Sequence, residues 1–404
     1  MPEPRIPVRP DVVAYFADDP TRVYQLLQWL PVLERLDEVH PVVVLLRNPA
    51  TAPLVAERTR LPLVLAEAFP DLATTYDELG AKVVLYCNNS ALNFNSLLDH
   101  RMLHVHINHG ESDKQSMVSN NCKAYDRVLV AGEAAVQRHR AAIMELDESR
   151  LVRIGRPQLD LHPVPLLPPS RRRTILYAPT WEGDADYNDY TSVDVMGPEI
   201  VAAALGVPDV RVVYKPHPKV TTSHTPAIRD GHQAILDLIE RAAEADPDAG
   251  HAAIWQGDIL AVFAGCDAMV ADVSSVGLDW LYLCTDKPIL LTDRHRDAER
   301  LRSEVPVSRC ADVVDADALP GLTALLTDRL AHDEHRLARE TMRRHYFDDN
   351  AVGDSTVRFI ETLGELVALR DRLRGAAPTA PLPPGEQGEP GEQGEPGEQG
   401  VGAA

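Results

Sequence analysis

The sequence predicts a doubly wound α/β protein, two Rossmann-like halves facing each other across a cleft, followed by a C-terminal tail. Three observations predict it. Short runs rich in Val, Leu and Ile recur along the chain without alternating with polar residues. Parallel strands buried on both faces read this way. Stretches of helical periodicity separate many of these runs, which is the order of βαβ units. The units form two series of similar size, and Leu161 to Pro169 between them carries four prolines, which favour an extended connector.

In the first series the strand-like runs are Val12 to Phe16, Val42 to Leu46, Leu61 to Leu65, Lys82 to Tyr86, Leu103 to Ile107 and Arg127 to Val130. Helical stretches are expected at Arg22 to Leu36, Asp71 to Leu79 and Glu133 to Met144. The apolar face of the first of these lacks the flanking basic residues a membrane-surface helix wants, so it reads as a core helix. In the second series Thr174 to Tyr177, Val210 to Tyr214, Ala268 to Ala271 and Pro288 to Leu291 read as strands. Gln233 to Ala245, Ile259 to Phe263, Val276 to Cys284 and Leu319 to Leu330 read as helices. The expected division is residues 1–160, a linker at 161–170, a second half at 171–375 with closing helices, and a Pro/Gly/Glu-rich tail at 376–404. Within the tail Gly recurs every third position from Gly385 to Gly400, a collagen-like spacing. Its five Glu lack basic partners, so it reads as a solvated, disordered segment rather than a trimerising stalk.

The chain has 404 residues, 45% hydrophobic and 25% charged, an ordinary globular composition with room for two full cores. A net charge of −21 argues against nucleic-acid binding. No apolar run reaches the ~20 residues of a membrane-spanning helix, and the first residues lack the apolar core of a secretory signal. The five cysteines are scattered and without CxxC spacing, which points away from a disulfide framework or zinc site and toward a reduced, cytoplasmic chain.

Four motifs follow predicted strands, where ligands of such sheets bind. Asn108-His109-Gly110 through Lys114 offers an imidazole, whose pKa lies near working pH, beside a glycine that lets the backbone approach a ligand. A capping loop with a solvated His is the plainer reading. Tyr177-Ala178-Pro179-Thr180-Trp181 offers Thr180 and backbone amides for an anion and Trp181 for a base; a tight turn with a core Trp is its plain counterpart. Lys215-Pro216-His217-Pro218 fixes His217 between two prolines and adds a point charge suited to phosphate. Asp272-Val273-Ser274-Ser275 precedes an apolar helix containing Asp279. That is an anion site through free amides and the helix dipole, or else an ordinary N-cap.

Together these motifs resemble the CDP-glycerol glycerophosphotransferase family, which makes teichoic-acid-type wall polymers. The likeness runs from about Val83 to Leu363. It takes in His109-Gly110, Gly155-Arg156-Pro157 with Asp160, the Tyr177 to Trp181 segment, His217-Pro218, Asp272 through Ser275 with Asp279, and the loop Asp349 to Ser355 before a final helix. The resemblance implies a GT-B fold and transfer of a polyol phosphate from a CDP-activated donor to an acceptor hydroxyl, with CMP released. It implies His109 as base on the acceptor and His217 near the donor pyrophosphate. Gly110, Lys114, Thr180, Trp181, Lys215, Asp272, Ser274, Ser275 and Asp279 are then the expected substrate-binding residues. No metal and no cofactor is expected. The expected partners are a CDP-polyol and a lipid-linked or polymeric acceptor at the inner membrane face, with peripheral membrane contact.

This chain departs from the family in having Glu111-Ser112 after His109-Gly110, where many members have Thr-Pro. A carboxylate there is expected to alter the base or the acceptor it takes. The remaining candidates read as structural. Asp184-Ala185-Asp186 has the spacing of a metal-binding pair but sits in a polar loop. His104 and His106 read as satisfied core or cleft-lining side chains, and Arg171-Arg172-Arg173 as a solvated turn. The alternatives are a GT-B glycosyltransferase using a nucleotide sugar, and a non-catalytic scaffold whose tail recruits partners.

Overall fold

The computed structural model describes residues 9–375 except 115–116 and 184–185, and among the described residues thirteen strands in two sheets carry the site. The 376–404 tail and the first two residues of Asp184-Ala185-Asp186 lie outside the described residues. The first sheet holds β1 (Val12–Phe16), β2 (Val42–Leu46), β3 (Leu63–Leu65), β4 (Val83–Tyr86), β5 (Leu103–His106), β6 (Arg127–Val130) and β7 (Leu151–Arg153). Its order is β3-β2-β1-β4-β5-β6-β7, all parallel. The second holds β8 (Arg173–Ala178), β9 (Val210–Tyr214), β10 (Ala252–Ala253), β11 (Ala268–Ala271), β12 (Ile289–Thr292) and β13 (Asp312–Val314). Its order is β10-β9-β8-β11-β12-β13, again all parallel. The α/β class expected from the apolar runs is the one observed.

Alternate residues of each central strand feed opposite layers. Val12, Ala14 and Phe16 enter one core, Val13 and Tyr15 the other. Leu176 and Ala178 face one side of the second sheet, Ile175 and Tyr177 the other. Burial on both faces is why these strands carry no alternation. The order reverses between β1 and β4, and between β8 and β11. Those reversals open crevices at the carboxyl ends of the strands.

Several expected elements differ. The single helix over Arg22 to Leu36 is broken into Tyr24–Leu27 and Leu30–Asp37. Pro31 has no N–H to donate backward and its ring would clash with the preceding turn, so it begins a new helix instead. Its Leu30, Val32, Leu33 and Leu36 are buried, as a core helix requires. The helix expected from Gln233 starts earlier, spanning Pro226–Ala245, with Pro226 in its first turn. Helices at Gly197–Leu205, Ala298–Glu304 and Arg336–Phe347 were not expected. The final helix, Asp354–Gly375, returns to the first sheet. Its Phe359, Leu363, Leu366 and Val367 join the core of Val12, Leu85 and Val105. Lys82 on the first sheet donates to Asp371 on this helix at 2.7 Å.

Candidate active site

The loops after β5, β8, β9 and β11 meet, so residues more than a hundred positions apart share one cleft. His109, after β5, and His217, after β9, come from opposite halves. Both lie edge-on to the ring of Tyr24, with centroids 6.0 and 6.3 Å away. Gly110 faces Ser275: a Cβ built on it would lie 3.6 Å from that side chain and 3.8 Å from Arg156. The Lys114 ammonium donates to Thr180 across the cleft at 3.4 Å.

The two imidazoles are held in different states. Asn108 takes a left-handed turn, φ 49°, and its side chain accepts the His109 backbone N–H at 2.8 Å. Burial and the Arg156 charge push the His109 pKa down to about 4, while a hydrogen bond with the Cys87 backbone opposes the shift. The ring is therefore neutral at pH 7. Its Nδ1 has no partner. With the other nitrogen donating to Cys87, that Nδ1 carries an open lone pair. His217 differs: its Nδ1 accepts the Lys219 N–H at 3.2 Å. A neutral ring so engaged carries its proton on Nε2 and presents a donor. Burial, then Lys114, Lys219 and Lys215, push its pKa down to about 3.

Cations and donors gather on this second side. Burial drives the Lys114 pKa down to about 8, opposed by Asp272 and Asp189. Lys215 is buried and its pKa is lowered by burial, opposed by Asp258. Lys219 lies 3.6 Å from the Trp181 ring centroid, and Trp181 stacks on His217 at 6.1 Å. Trp181 is thus half-buried and engaged by two motif neighbours rather than lost in the core. Ser274 stands at the N-cap of Ser275–Leu283, yet makes no capping hydrogen bond, and its buried Oγ is without a partner. An unsatisfied hydroxyl at a helix N-terminus suits an anion.

The two motif aspartates are spent on protein groups. Asp272 is fully buried and accepts from the Thr180 N–H (2.7 Å), the Ser192 N–H (3.2 Å), and the Ser192 and Thr292 hydroxyls (both 2.5 Å). Burial still raises its pKa to about 6. Asp279, also buried, pairs with Arg156 of the other half, and burial raises its pKa to about 6. The Gly155-Arg156-Pro157 segment is locked to the closing loop. The Arg156 N–H donates to Ser355 Oγ at 3.1 Å, and Asp160 accepts from Gly353 and Thr356 at 2.7 and 2.6 Å.

Glu111 departs from expectation in its effect on the base. Its carboxylate is buried against Arg138, which also donates to Asp113 at 2.8 Å. It is absent from the groups that shift His109. The arginine draws it away from the base.

His104 is satisfied by Tyr86 (2.7 Å) and the Asp99 carbonyl (2.6 Å), whereas His106 leaves Nε2 unpartnered. Arg172 and Arg173 pair with Asp246 and Asp267 rather than standing free. Sequence reasoning gave Tyr24 and Arg138 no functional role: Tyr24 reads only as part of a core helix face, and Arg138 sits on the helix Glu133–Ala142, facing the loop after β5.

Two parallel sheets facing across a cleft, with a histidine from each half, define a GT-B-type architecture. Solved structures agree on the fold. The wall teichoic acid polymerase TagF aligns with a TM-score of 0.57 at 14% identity, over 91% of this chain and 90% of that one. A putative UDP-N-acetylglucosamine 2-epimerase from Listeria monocytogenes gives 0.56 at 13%, over 91% and 98%. A glycosyltransferase from Rickettsia africae gives 0.55 at 11%, over 89% and 99%. No curated protein sequence matches the chain. The profile of the CDP-glycerol:poly(glycerophosphate) glycerophosphotransferase family matches residues 98–300, half of the chain, and the chain belongs to that family. It is a glycerophosphotransferase-type enzyme. No helix among the described residues is long and apolar enough to cross a membrane.

Proposed function

We propose that this chain moves glycerol phosphate, or a related polyol phosphate, from a CDP-activated donor to an acceptor hydroxyl. One observation carries the reading: the two family histidines flank Tyr24 with complementary hydrogen-bonding states, an open acceptor on His109 and a donor on His217.

His109 Nδ1 takes the proton of the acceptor hydroxyl as its oxygen bonds to the phosphorus bearing the polyol. The bond from that phosphorus to the bridging oxygen breaks, and CMP leaves with the extra negative charge. His217 Nε2–H, Lys114, Lys215, Ser274 and Ser275 stabilise that charge on the phosphate oxygens. Gly110 and Thr180 shape the contact between the halves, and Trp181 holds His217. Asp272 and Asp279 are positioning residues: one ties the Thr180 loop to β12, the other anchors Arg156. Residues 1–160 supply the acceptor side and 171–375 the donor side. The acceptor is a lipid-linked or growing surface polymer, met at the cytoplasmic membrane face.

The test is incubation with CDP-glycerol and, separately, CDP-ribitol, following CMP. Release from either one, dependent on an added polyol-phosphate acceptor, supports the reading. Consumption of neither, with turnover of a nucleotide sugar, overturns it.

A further inference from the structure

Behind the His109 loop the first half holds a partly open cavity of about 40 Å³. At 10–15 Å³ per water, this is room for about three waters, close to one glycerol-sized unit. It lies under the carboxyl ends of β5 and β6. Asn108 and Gly110, either side of His109, form part of its wall, as does Arg156.

Setting aside Glu111 Oε1, which is ion-paired with Arg138, four side-chain atoms of the lining residues have no hydrogen-bond partner: His106 Nε2, Arg138 Nε, Arg156 Nε and Gln158 Oε1. They are a third of the twelve such side-chain atoms among the described residues, gathered around one void. His106, Arg156 and Gln158 are each more than nine-tenths buried. Buried polar groups without partners are costly, so a cluster of them around a space indicates a ligand that satisfies them.

Their chemistry selects the ligand. The two guanidinium nitrogens are donors. Gln158 Oε1 is an acceptor. His106 is neutral, its pKa pushed down to about 4 by burial while the ring donates to the Asn88 backbone. Its Nε2 is therefore an acceptor too. Two donors facing two acceptors match hydroxyl groups, each of which gives and takes a hydrogen bond. A phosphate dianion carries one hydroxyl at most, so it leaves at least one of the two lone pairs unanswered. Both arginines are moreover matched already, Arg138 by Glu111 and Asp113 and Arg156 by Asp279, so no surplus positive charge remains for an anion. Lys114, Lys215 and Lys219 gather around His217 instead.

We propose that this cavity is a polyol subsite, which seats a glycerol-like unit of the acceptor so that a hydroxyl beside it reaches His109. The proposal rests on the acceptor role given to the first half above. It makes Arg138 and Gln158 specificity residues for the acceptor, and gives Glu111 its purpose as the charge that neutralises Arg138.

The test uses the full chain with His labelled at Cε1, titrated with glycerol and separately with inorganic phosphate. The resonance missing from His106→Phe identifies His106 among the fifteen histidines. Glycerol should move that resonance to saturation and phosphate should not. Gln158→Leu, nearly isosteric, should weaken glycerol binding about tenfold. If that variant fails to fold, the wild-type titrations still decide. Saturation by phosphate overturns the proposal, and so does a resonance that glycerol leaves unmoved, which would mean that the cavity holds water only. A chain that binds glycerol here but releases no CMP keeps the subsite and loses the donor reading. One that releases CMP with the His106 signal unmoved loses the subsite alone.

Discussion

Replacing Gly155 by Ala should detach the closing loop from the motif that carries Arg156. Gly155 has φ +80°, and holding a residue with a Cβ in the left-handed region costs about 1–2 kcal/mol. The new Cβ would also stand 2.1 Å from Ser355 Oγ and 2.7 Å from Asn350 Nδ2. Both neighbours are fully buried, so neither can swing into solvent, and overpacking adds about 1–3 kcal/mol. The sum is about 2–5 kcal/mol. Gly80 is the control, with φ +60° and nothing within 4 Å of its Cβ position. Gly80→Ala meets only the backbone term, far from this loop. The assay is amide hydrogen exchange at Gly353 and Thr356, whose N–H groups are held by Asp160. Opening the loop relieves both terms, so their exchange should quicken about 30-fold or more in Gly155→Ala and stay unchanged in Gly80→Ala. Equal protection in the two variants would refute the reasoning.

Other outcomes follow from the same geometry. His109→Ala should lower turnover by about 10²–10⁴-fold with melting unchanged, the worth of a positioned base; near-normal turnover removes His109 from that role. Donor binding at pH 8 should take up about half a proton. Lys114, with a pKa of about 8, is half-charged there, and phosphate oxygens beside it raise that pKa and complete its protonation. Donor affinity then falls as pH rises through 8. Calorimetry in buffers of different ionisation enthalpy checks this, and Lys114→Met should abolish the dependence. Tyr24→Ala should lower turnover while Tyr24→Phe retains most of it, because the ring edges of both histidines rest on its aromatic body; kcat for the two variants tests this.

The central strands were legible because burial on both faces leaves an unbroken apolar signature. Val42 to Leu46 and Val210 to Tyr214 were placed to the residue. The strands not foreseen are β7, β10 and β13. Each is two or three residues long and at a sheet edge, where one side needs no apolar partner and the run is too short to show a period. The helix Arg336–Phe347 was hidden by its charge. Four arginines in twelve residues look solvated, yet Arg339 is fully buried, bound to Asp333 and to the Thr285 carbonyl. The site divides the same way. His109, His217, Ser274 and Ser275 were visible because each directly follows a legible strand. Tyr24 was not, because only the packing of the two halves brings it between the histidines. The cavity was invisible for a like reason, being assembled from β5, the Glu133–Ala142 helix and the loop after β7. No spacing in the sequence links His106, Arg138 and Gln158.

The most direct measurement of the central claim is the phosphorus spectrum of a reaction containing this chain, CDP-glycerol and a glycerol-phosphate-terminated acceptor. Phosphoryl transfer cleaves the pyrophosphate. The two coupled pyrophosphate signals should therefore be replaced by one phosphomonoester signal from CMP and one phosphodiester signal on the acceptor, in equal amounts, and both should be lost in His109→Ala. A pyrophosphate that stays intact under these conditions, while a nucleotide sugar yields a nucleoside diphosphate and a phosphorus-free product, would contradict the account.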